Sequence, residues 1–255
     1  MITSVRRAGS GAIPCTDDSP AAPGIPASAP GEERDFPTRV AHRIAASDGS
    51  LPTVSIARGQ HVYNCTQPDR NLYLVKTGQV KTVAMTASGK RCLLDLSMPG
   101  DLFGEMCLAR SCRDETAVAM SNTTLTRISQ DLFFATLQAE NLFEAFTLHL
   151  AGKLSEQQRI IADLVTMESE LRLVSRLLQL SRRLGEEHHQ GVVISARLTQ
   201  EELAEMIGTT RSRVGFFLKR LRAAGLITCN RGYITIRSVS RLASFVEERM
   251  ALDGP

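Results

Sequence analysis

One stretch of thirty residues constrains this chain more than any other: LTQEELAEMIGTTRSRVGFFLKRLRAAGLI, residues 198–227. Thr199 followed by Glu202 has the spacing of a capping box, in which hydroxyl and carboxylate satisfy each other's backbone amides at a helix N-terminus. Gly208 then supplies a tight turn, and Thr210 is placed to cap a second helix. The stretch therefore predicts two helices joined by a short turn that contains glycine.

Each of these two helices has an apolar inner face, and a small residue, Ala204, stands where the helices approach each other. The inner-face residues are Leu203, Ala204 and Ile207 in the first helix and Val214, Leu218 and Leu221 in the second. Gly225 ends the second helix, and LITCNRGYITIR then predicts a two-stranded wing with its turn at Asn230-Arg231-Gly232. Helix, turn, helix and wing are typical of a DNA-binding domain whose second helix enters the major groove.

Positive charge is concentrated in the same region. Between Gly208 and Arg237 the sequence has no acidic residue and seven basic ones: Arg211, Arg213, Lys219, Arg220, Arg222, Arg231 and Arg237. The whole chain carries only +3, so the remaining residues carry a net charge of −4. Such a concentration indicates a phosphate-binding surface.

Position gives the side chains of this surface different predicted roles. Arg211, Ser212 and Arg213 lie in the first turn of the second helix and are predicted to contact bases. The predicted phosphate contacts, which position a protein on DNA without specifying sequence, are Thr199, Thr209, Thr210, Lys219 and Arg231. The alternative is a solvated cationic helix in an unrelated three-helix domain, which would require all these features to coincide by chance.

The rest of the chain is divided by composition and pattern. Residues 1–37 contain six of the ten prolines and are predicted to be a disordered tail rich in Pro, Gly and Ala. Residues 38–140 contain strand-sized segments separated by turn residues, and they predict an antiparallel β-roll of jelly-roll type. Residues 141–167 are assigned to a long helix and residues 168–255 to the winged helix-turn-helix domain, which gives an α+β fold.

The long helix carries an apolar seam. Residues recur in steps of four and three, namely Leu150, Leu154, Gln157, Ile161, Leu164, Glu168 and Leu171. This spacing is typical of a coiled coil, and it predicts parallel pairing of two chains with Gln157 and Glu168 as polar positions. The alternative is that the stripe docks on the β domain of its own chain.

Several classes of protein are disfavoured. No apolar run approaches the ~18 residues of a membrane helix, and the N-terminus lacks the apolar core of a secretory signal, so we expect a cytoplasmic protein without a membrane partner. The six cysteines show neither a CxxC pair nor zinc-ligand spacing, so we expect no metal and no cofactor. A catalytic β-roll would need a His/Glu metal triad, and residues 51–129 contain only His61. We therefore predict that the protein is not an enzyme.

These segments together resemble the bacterial Crp/Fnr-type transcription regulators. The run TQEELAEMIGTTRSRVGFFLKRLRAAGLI is similar to the helix-turn-helix of that family. Residues 59–106, with the turn GDLFGE and with Gly59, Gly78, Gly89 and Gly100, are similar to its sensor β-roll. The seam helix coincides with the dimerisation helix of the family. The resemblance covers roughly residues 50–240.

The resemblance implies a homodimer that binds a partly palindromic site in double-stranded DNA and regulates transcription through contact with RNA polymerase or through occlusion. It also implies that Arg211 reads guanine. Ser212 stands where the family often has a glutamate that accepts from cytosine, and this departure argues against the best-known half-site of the family.

The stretch RSCRDETAVAM, residues 110–120, bears on the effector. In family members that bind cyclic nucleotide, the glutamate of GDxxGE binds the ribose, and an Arg-Ser or Arg-Thr pair ten residues later binds the phosphate. Gly104 and Glu105 match the first part, but ten residues on the chain has Glu115 and Thr116. Glu115 would place a carboxylate where the phosphate should bind, and two like charges ~4 Å apart repel by ~4 kcal/mol at an effective dielectric of ~20. We therefore predict that the sensor domain does not bind cyclic nucleotide, although Gly104, Glu105, Glu115 and Thr116 would form the effector pocket.

Two alternatives stay open for this stretch, and the sequence does not identify a small-molecule effector. Arg113 would reach the phosphate position after a two-residue shift, which we expect to displace the following strand TAVAM. The chain would instead be thiol-responsive if Arg110 and Arg113 lower the pKa of Cys107 or Cys112.

Overall fold

The structure, a computed structural model, describes residues 32–46 and 51–252. It begins with helix α1 (Glu32–Ala46), which buries Phe36 and Val40. The ring of Phe36 lies 5.4 Å from that of Phe146, centroid to centroid. The predicted boundary of the tail at residue 37 was wrong, because residues 32–37 are helical. Phe36 and Val40 lie one turn apart, so both are buried on the same face of this helix. Residues 1–31 of that tail lie outside the described residues.

Eight strands form the predicted β-roll, arranged in two antiparallel sheets of four strands, with the orders β1-β8-β3-β6 and β2-β7-β4-β5. The strands are β1 (Thr53–Ile56), β2 (His61–Tyr63), β3 (Asn71–Thr77), β4 (Val80–Met85), β5 (Arg91–Ser97), β6 (Leu102–Phe103), β7 (Thr116–Ala119) and β8 (Thr123–Ser129). A 3₁₀ helix, Glu105–Leu108, follows β6. The antiparallel roll confirms the predicted fold.

The hairpin between β3 and β4 depends on Gly78. Its φ of +88° is in the left-handed region, and a Cβ there would lie 2.4 Å from Thr123 Oγ1 and 2.6 Å from the carbonyl oxygen of Asn122. Any side chain at this position would push the hairpin away from the start of β8, so glycine is required both by conformation and by space.

Three helices follow the roll: α2 (Gln130–Ala139), α3 (Phe143–Thr166) and α4 (Ser169–Leu184). The chain is extended at Met167 and Glu168, so the predicted seam ends with α3. Its last two predicted members, Glu168 and Leu171, are not on that helix: Glu168 immediately precedes α4, and Leu171 is a buried residue of α4. The guanidinium of Arg172 stabilises the break, because it donates to the carbonyl oxygens of Leu164 and Met167.

The C-terminal domain packs its helices on a four-stranded sheet of order β11-β12-β10-β9. Its elements after α4 are β9 (Gly185–His188), β10 (Gly191–Ile194), α5 (Gln200–Ile207), α6 (Arg211–Ala223), β11 (Ile227–Asn230), β12 (Tyr233–Ile236) and α7 (Val239–Leu252). The predicted helix-turn-helix is α5 and α6, and the wing is β11 and β12. The hairpin β9–β10, which extends the wing into a sheet, was not predicted. Within the described residues, no helix has the length and apolar character needed to cross a membrane.

Candidate functional site

Helix α5 begins with the predicted capping box. Thr199 Oγ1 accepts from the Glu202 amide at 3.1 Å, and the Glu202 carboxylate accepts from the Thr199 amide at 2.9 Å. The helix ends at Gly208, whose φ is +67°. A Cβ on Gly208 would touch Leu164 of α3 at 3.4 Å, so the turn between α5 and α6 lies close to the end of the long helix.

Helix α6 exposes its first turn. Thr210 caps the helix by accepting from the Arg213 amide at 3.4 Å. The predicted inner-face residues Val214, Leu218 and Leu221 are buried, together with Phe217, which the sequence analysis did not include. The predicted base contacts Arg211, Ser212 and Arg213 are all exposed. The local geometry therefore presents two guanidinium groups and a hydroxyl at the N-terminal end of this helix.

The residues predicted to contact phosphate differ in their exposure and in whether their side chains are free to donate a hydrogen bond to a phosphate oxygen. Thr210, Lys219 and Arg231 are exposed and Thr209 is half-buried. Thr199 is exposed, but its hydroxyl already donates to the Glu202 carboxylate at 2.9 Å. The predicted contact of Thr199 with phosphate therefore needs correction, because its side chain has no proton left to give to a phosphate oxygen.

One acidic side chain approaches helix α6 from outside the acid-free stretch. Glu170 of α4 pairs with Arg220 at 3.1 Å, and Glu170 is buried while Arg220 is largely exposed. Arg220 also stands over the ring of Phe216, 5.8 Å from its centroid. This pairing holds Arg220 against the side of α6, whereas Arg211 and Arg213 remain on the exposed first turn.

The helix-turn-helix also contacts the β-roll. Lys81 of β4 pairs with Glu202 at 2.9 Å, and Arg91 of β5 pairs with Glu205 at 2.7 Å. Apolar residues of β4 and β5, such as Leu93, belong to the same buried cluster as the core of the C-terminal domain. Helix α5 is therefore bound to the sensor domain by both apolar packing and two ion pairs, which no local sequence pattern indicated.

Arg113 lies in the interior of the β-roll, with a fully buried side chain. Its guanidinium donates to the Gly104 carbonyl at 2.5 Å, to Asp69 Oδ2 at 3.0 Å and to the carbonyl of Asn71. It also stacks on the ring of Tyr63, 3.9 Å from the centroid. The expectation that Arg113 could enter only by displacing the next strand was wrong, since β7 keeps its pairing with β4 from Thr116 to Ala119.

The partner of Arg113 is a carboxylate held in its ionised form. Burial alone would raise the pKa of the Asp69 carboxyl, but hydrogen bonds from Asn71 and Arg113 hold that pKa below its usual range. Tyr73 also donates its hydroxyl to Asp69 at 3.0 Å. The positive charge of Arg113 is therefore already neutralised inside the roll.

Glu115 and Thr116 point in opposite directions. Glu115 is buried and accepts from the Tyr63 hydroxyl at 3.0 Å, and burial together with this carboxylate raises the pKa of Tyr63. Thr116 is only half-buried, and its hydroxyl accepts from the Cys65 amide at 3.0 Å. Arg113 and Glu115 thus both face the interior, where each contacts Tyr63, and Thr116 does not belong with the predicted pocket.

Glu105 joins the turn GDLFGE to the long helix. Its carboxylate accepts from Lys153 of α3, and the same ammonium lies 3.6 Å from Asp95 of β5. Asp95 in turn pairs with Arg183 of α4 at 2.7 Å. Burial alone would lower the pKa of Lys153, but the two carboxylates raise it above its usual value. The glutamate of the predicted pocket is therefore part of an ion-pair chain that reaches the C-terminal domain.

The two cysteines of the thiol alternative lie in different environments. Cys107 is buried, and this burial raises the pKa of its thiol even though Arg113 is near. Cys112 is exposed, and the nearby Arg110 is engaged with Asp114 at 2.9 Å. The alternative in which neighbouring arginines activate Cys107 is therefore disfavoured, because burial disfavours the thiolate more than the guanidinium favours it.

The seam of α3 is exposed over most of its length. Leu154 and Ile161 are 60% and 59% exposed, and Leu150 and Leu164 are also exposed. Gln157 is half-buried. Because these side chains do not dock on the β domain of their own chain, a continuous apolar stripe is left on the surface.

Two family models match this chain, one over the β-roll and one over the C-terminal domain. A model described as a cyclic nucleotide-binding domain matches residues 53–140, and a model described as a Crp-like helix-turn-helix domain matches residues 171–245. The CRP-like cAMP-activated global transcriptional regulator of Mycobacterium tuberculosis is 27% identical over 202 residues, which cover 78% of this chain and 90% of the relative.

Two further similarities cover most of the chain. The global nitrogen regulator of Synechococcus elongatus is 28% identical over 194 residues, which cover 74% of this chain and 87% of the relative. The structure of FixK2 from Bradyrhizobium japonicum matches with a TM-score of 0.67 and 20% identity, and the match covers 77% of this chain and 97% of that one. The last similarity concerns the fold alone.

Proposed function

Because this chain belongs to the Crp/Fnr family of DNA-binding transcription regulators, we propose that it acts as a homodimer on a partly palindromic promoter site. Each protomer places its α6 in the major groove, and the two recognition helices lie one helical turn of DNA apart. The protein regulates transcription in the cytoplasm through contact with RNA polymerase or through occlusion. Its relatives are transcription regulators, and the chain is a regulator rather than an enzyme.

The observation that carries this proposal is the exposed first turn of α6. Arg211 and Arg213 form bidentate hydrogen bonds with guanine, and Ser212 contacts the adjacent base. Thr209, Thr210, Lys219 and Arg231 hold the flanking phosphates. Thr199 supports this surface through the cap of α5 and not through its own hydroxyl.

The seam of α3 supports the homodimer. A stripe of exposed leucine and isoleucine is stabilised by pairing with the same stripe of a second chain, as in a parallel coiled coil. The members of this interface are Leu150, Leu154, Gln157, Ile161 and Leu164. Gln157 is the polar position that fixes the register of the two helices.

The sensor domain does not bind cyclic nucleotide in this proposal. A phosphate that entered the roll would have to replace Asp69 as the partner of Arg113, and it would lie close to Glu115 on the same inner face. Glu105 is engaged by Lys153 and is not available for a ribose hydroxyl. In the interior of the roll, the arginine that would bind the phosphate and the glutamate that would bind the ribose are thus both already paired with residues of this chain.

Cyclic-nucleotide dependence is the second candidate, and two observations favour it. Arg113 points inward beside Gly104, and the Mycobacterium tuberculosis relative is named as cAMP-activated. Calorimetry of the full chain against cyclic AMP and cyclic GMP separates the two candidates. We expect no saturable heat at millimolar ligand, whereas saturable micromolar binding would establish the second candidate.

The DNA-binding proposal is tested with duplexes selected from a random pool by the full-length protein. We expect Arg211→Ala to weaken binding to the selected duplex by about 5- to 150-fold, the loss of one base contact, and to leave binding to random duplexes unchanged. Lys219→Ala should weaken both kinds of duplex alike and reduce the salt dependence by about one phosphate.

A matched control is Arg58→Ala, which removes an exposed arginine from the turn between β1 and β2 and should leave mobility shifts unchanged. If Arg211→Ala and Lys219→Ala bind DNA like the wild type, the assignment of α6 as the recognition helix is wrong.

A further inference from the structure

The exposed face of α6 contains one large apolar side chain. Phe216 is 58% exposed, and it lies four residues after Ser212 and three before Lys219. Residues three and four apart occupy the same face of a helix. Phe216 therefore lies on the surface that carries the proposed base and phosphate contacts, one turn beyond the first.

The hydrophobic core does not require this ring. The inner face of α6 is already filled by Val214, Phe217, Leu218 and Leu221, all of which are buried. Single exposed apolar residues are common on protein surfaces and need no explanation by themselves. This ring, however, lies in the middle of the cationic surface of α6, where another basic side chain would strengthen phosphate binding and a phenyl group adds nothing to it.

The position of the ring is restrained on one side. Arg220 stands over it at 5.8 Å from the centroid, and Arg220 is itself anchored to Glu170 at 3.1 Å. An anchored guanidinium covers one side of the ring and restricts its movement. The remaining surface of Phe216 is left open to whatever enters between α6 and the DNA.

Phenylalanine can distinguish bases only by apolar contact. In the major groove each base pair presents a distinct pattern, and the 5-methyl group of thymine is its apolar element, which Phe, Ala and Thr methyl groups contact. Resting on the proposed function, we propose that Phe216 is a further specificity-determining residue, which reads a thymine 5-methyl group in each half-site.

The helix geometry indicates where that thymine lies. Four residues of helix correspond to about 6 Å along its axis, and successive bases of one strand are about 3.4 Å apart. With α6 lying along the groove, the methyl group contacted by Phe216 is about two base steps from the base contacted by Ser212.

The test is a methyl-deletion scan of the duplex selected by the full-length protein. Each thymine of one half-site is replaced in turn by deoxyuridine, which lacks only the 5-methyl group, and affinity is measured by fluorescence anisotropy. At one thymine we expect about fourfold weaker binding by the wild type, which corresponds to about 0.8 kcal/mol for one buried methyl-sized group. For Phe216→Ala the same replacement should change affinity less than about 1.5-fold.

Tyr233→Ala is the matched control, because Tyr233 is an exposed aromatic residue, 42% exposed, that belongs to the wing strand β12 and not to α6. It should retain the fourfold sensitivity to deoxyuridine. Circular dichroism of each variant checks that the domain is folded, and Phe216 is exposed enough for the substitution to leave the core intact.

The outcomes separate this inference from the function on which it rests. If the selection enriches a symmetric sequence but no deoxyuridine replacement weakens binding, or if Phe216→Ala shows the same sensitivity as the wild type, the role of Phe216 is refuted and the regulator stands. If no sequence is enriched at all, both the proposed function and the reading by Phe216 are overturned.

Discussion

The buried pair of Asp69 and Arg113 provides a quantitative prediction. Asp69→Asn keeps the size and shape of the side chain but removes its charge, so it removes the carboxylate that pairs with the fully buried guanidinium. Removing one partner of a buried ion pair costs about 3–5 kcal/mol. Arg113 keeps two carbonyl acceptors and the ring of Tyr63. We therefore expect the lower end, a loss of about 3 kcal/mol in the free energy of unfolding of the sensor domain.

The chain offers its own probe for this measurement. It has no tryptophan and three tyrosines, and two of them, Tyr63 and Tyr73, are hydrogen-bonded within this network. Urea unfolding followed by near-ultraviolet circular dichroism therefore reports mainly on the sensor domain. The expected result is a lower urea midpoint for Asp69→Asn with an unchanged slope.

Asp114→Asn is the control, because Asp114 and Arg110 form an exposed pair, 51% and 65% exposed, and such pairs contribute about 0–1 kcal/mol. Adding Arg113→Met to Asp69→Asn should restore part of the lost stability, since the unpaired charge is then removed as well. A loss below about 1 kcal/mol for Asp69→Asn, or equal losses for Asp69→Asn and Asp114→Asn, would refute the reasoning that a buried charge pair fills the roll.

Three further predictions concern pH, the seam and the cap of α5. The folded-state pKa of Asp69 lies below its unfolded value, so the stability that Asp69 contributes is fully present above about pH 4 and is lost as the pH falls through the folded pKa. Acid unfolding, followed by the near-ultraviolet circular dichroism of the tyrosines, should therefore begin only below about pH 4. Leu154→Asp combined with Ile161→Asp should give a monomer in sedimentation velocity, whereas Met85→Asp, at an exposed position of β4, should leave the dimer intact. Thr199→Ala should lower the stability of the C-terminal domain by about 1 kcal/mol, measured by urea unfolding in the far ultraviolet, and an unchanged midpoint would contradict the role of the capping box.

The parts of the fold that the sequence predicted depend on neighbouring residues. The capping box of Thr199 and Glu202, the turn at Gly208 and the inner face of α6 are all set by interactions within a few positions. Such local preferences act in the same way in any protein, so the pattern is sufficient to predict the elements. The alternation of strands also indicated the roll, although short strands such as β6 carry too little pattern to be seen.

The parts that were missed depend on residues far apart in sequence. The pair of Lys81 and Glu202 joins residues 121 positions apart, and no periodicity in either segment indicates it. The position of Arg113 is a second case, because the oxygens that accept from its guanidinium belong to Gly104, Asn71 and Asp69, which lie 9, 42 and 44 positions away in the sequence.

The direct test of the central claim is the geometry of the bound DNA. Two recognition helices on one dimer require half-sites that face the same side of the duplex, about 10 base pairs apart from centre to centre. Inserting about 5 base pairs between the half-sites of the selected duplex turns them to opposite sides. We predict that this insertion, like deletion of one half-site, reduces affinity to that of a random duplex. Affinity that is unchanged by the insertion would contradict a homodimer that reads both half-sites at once through α6.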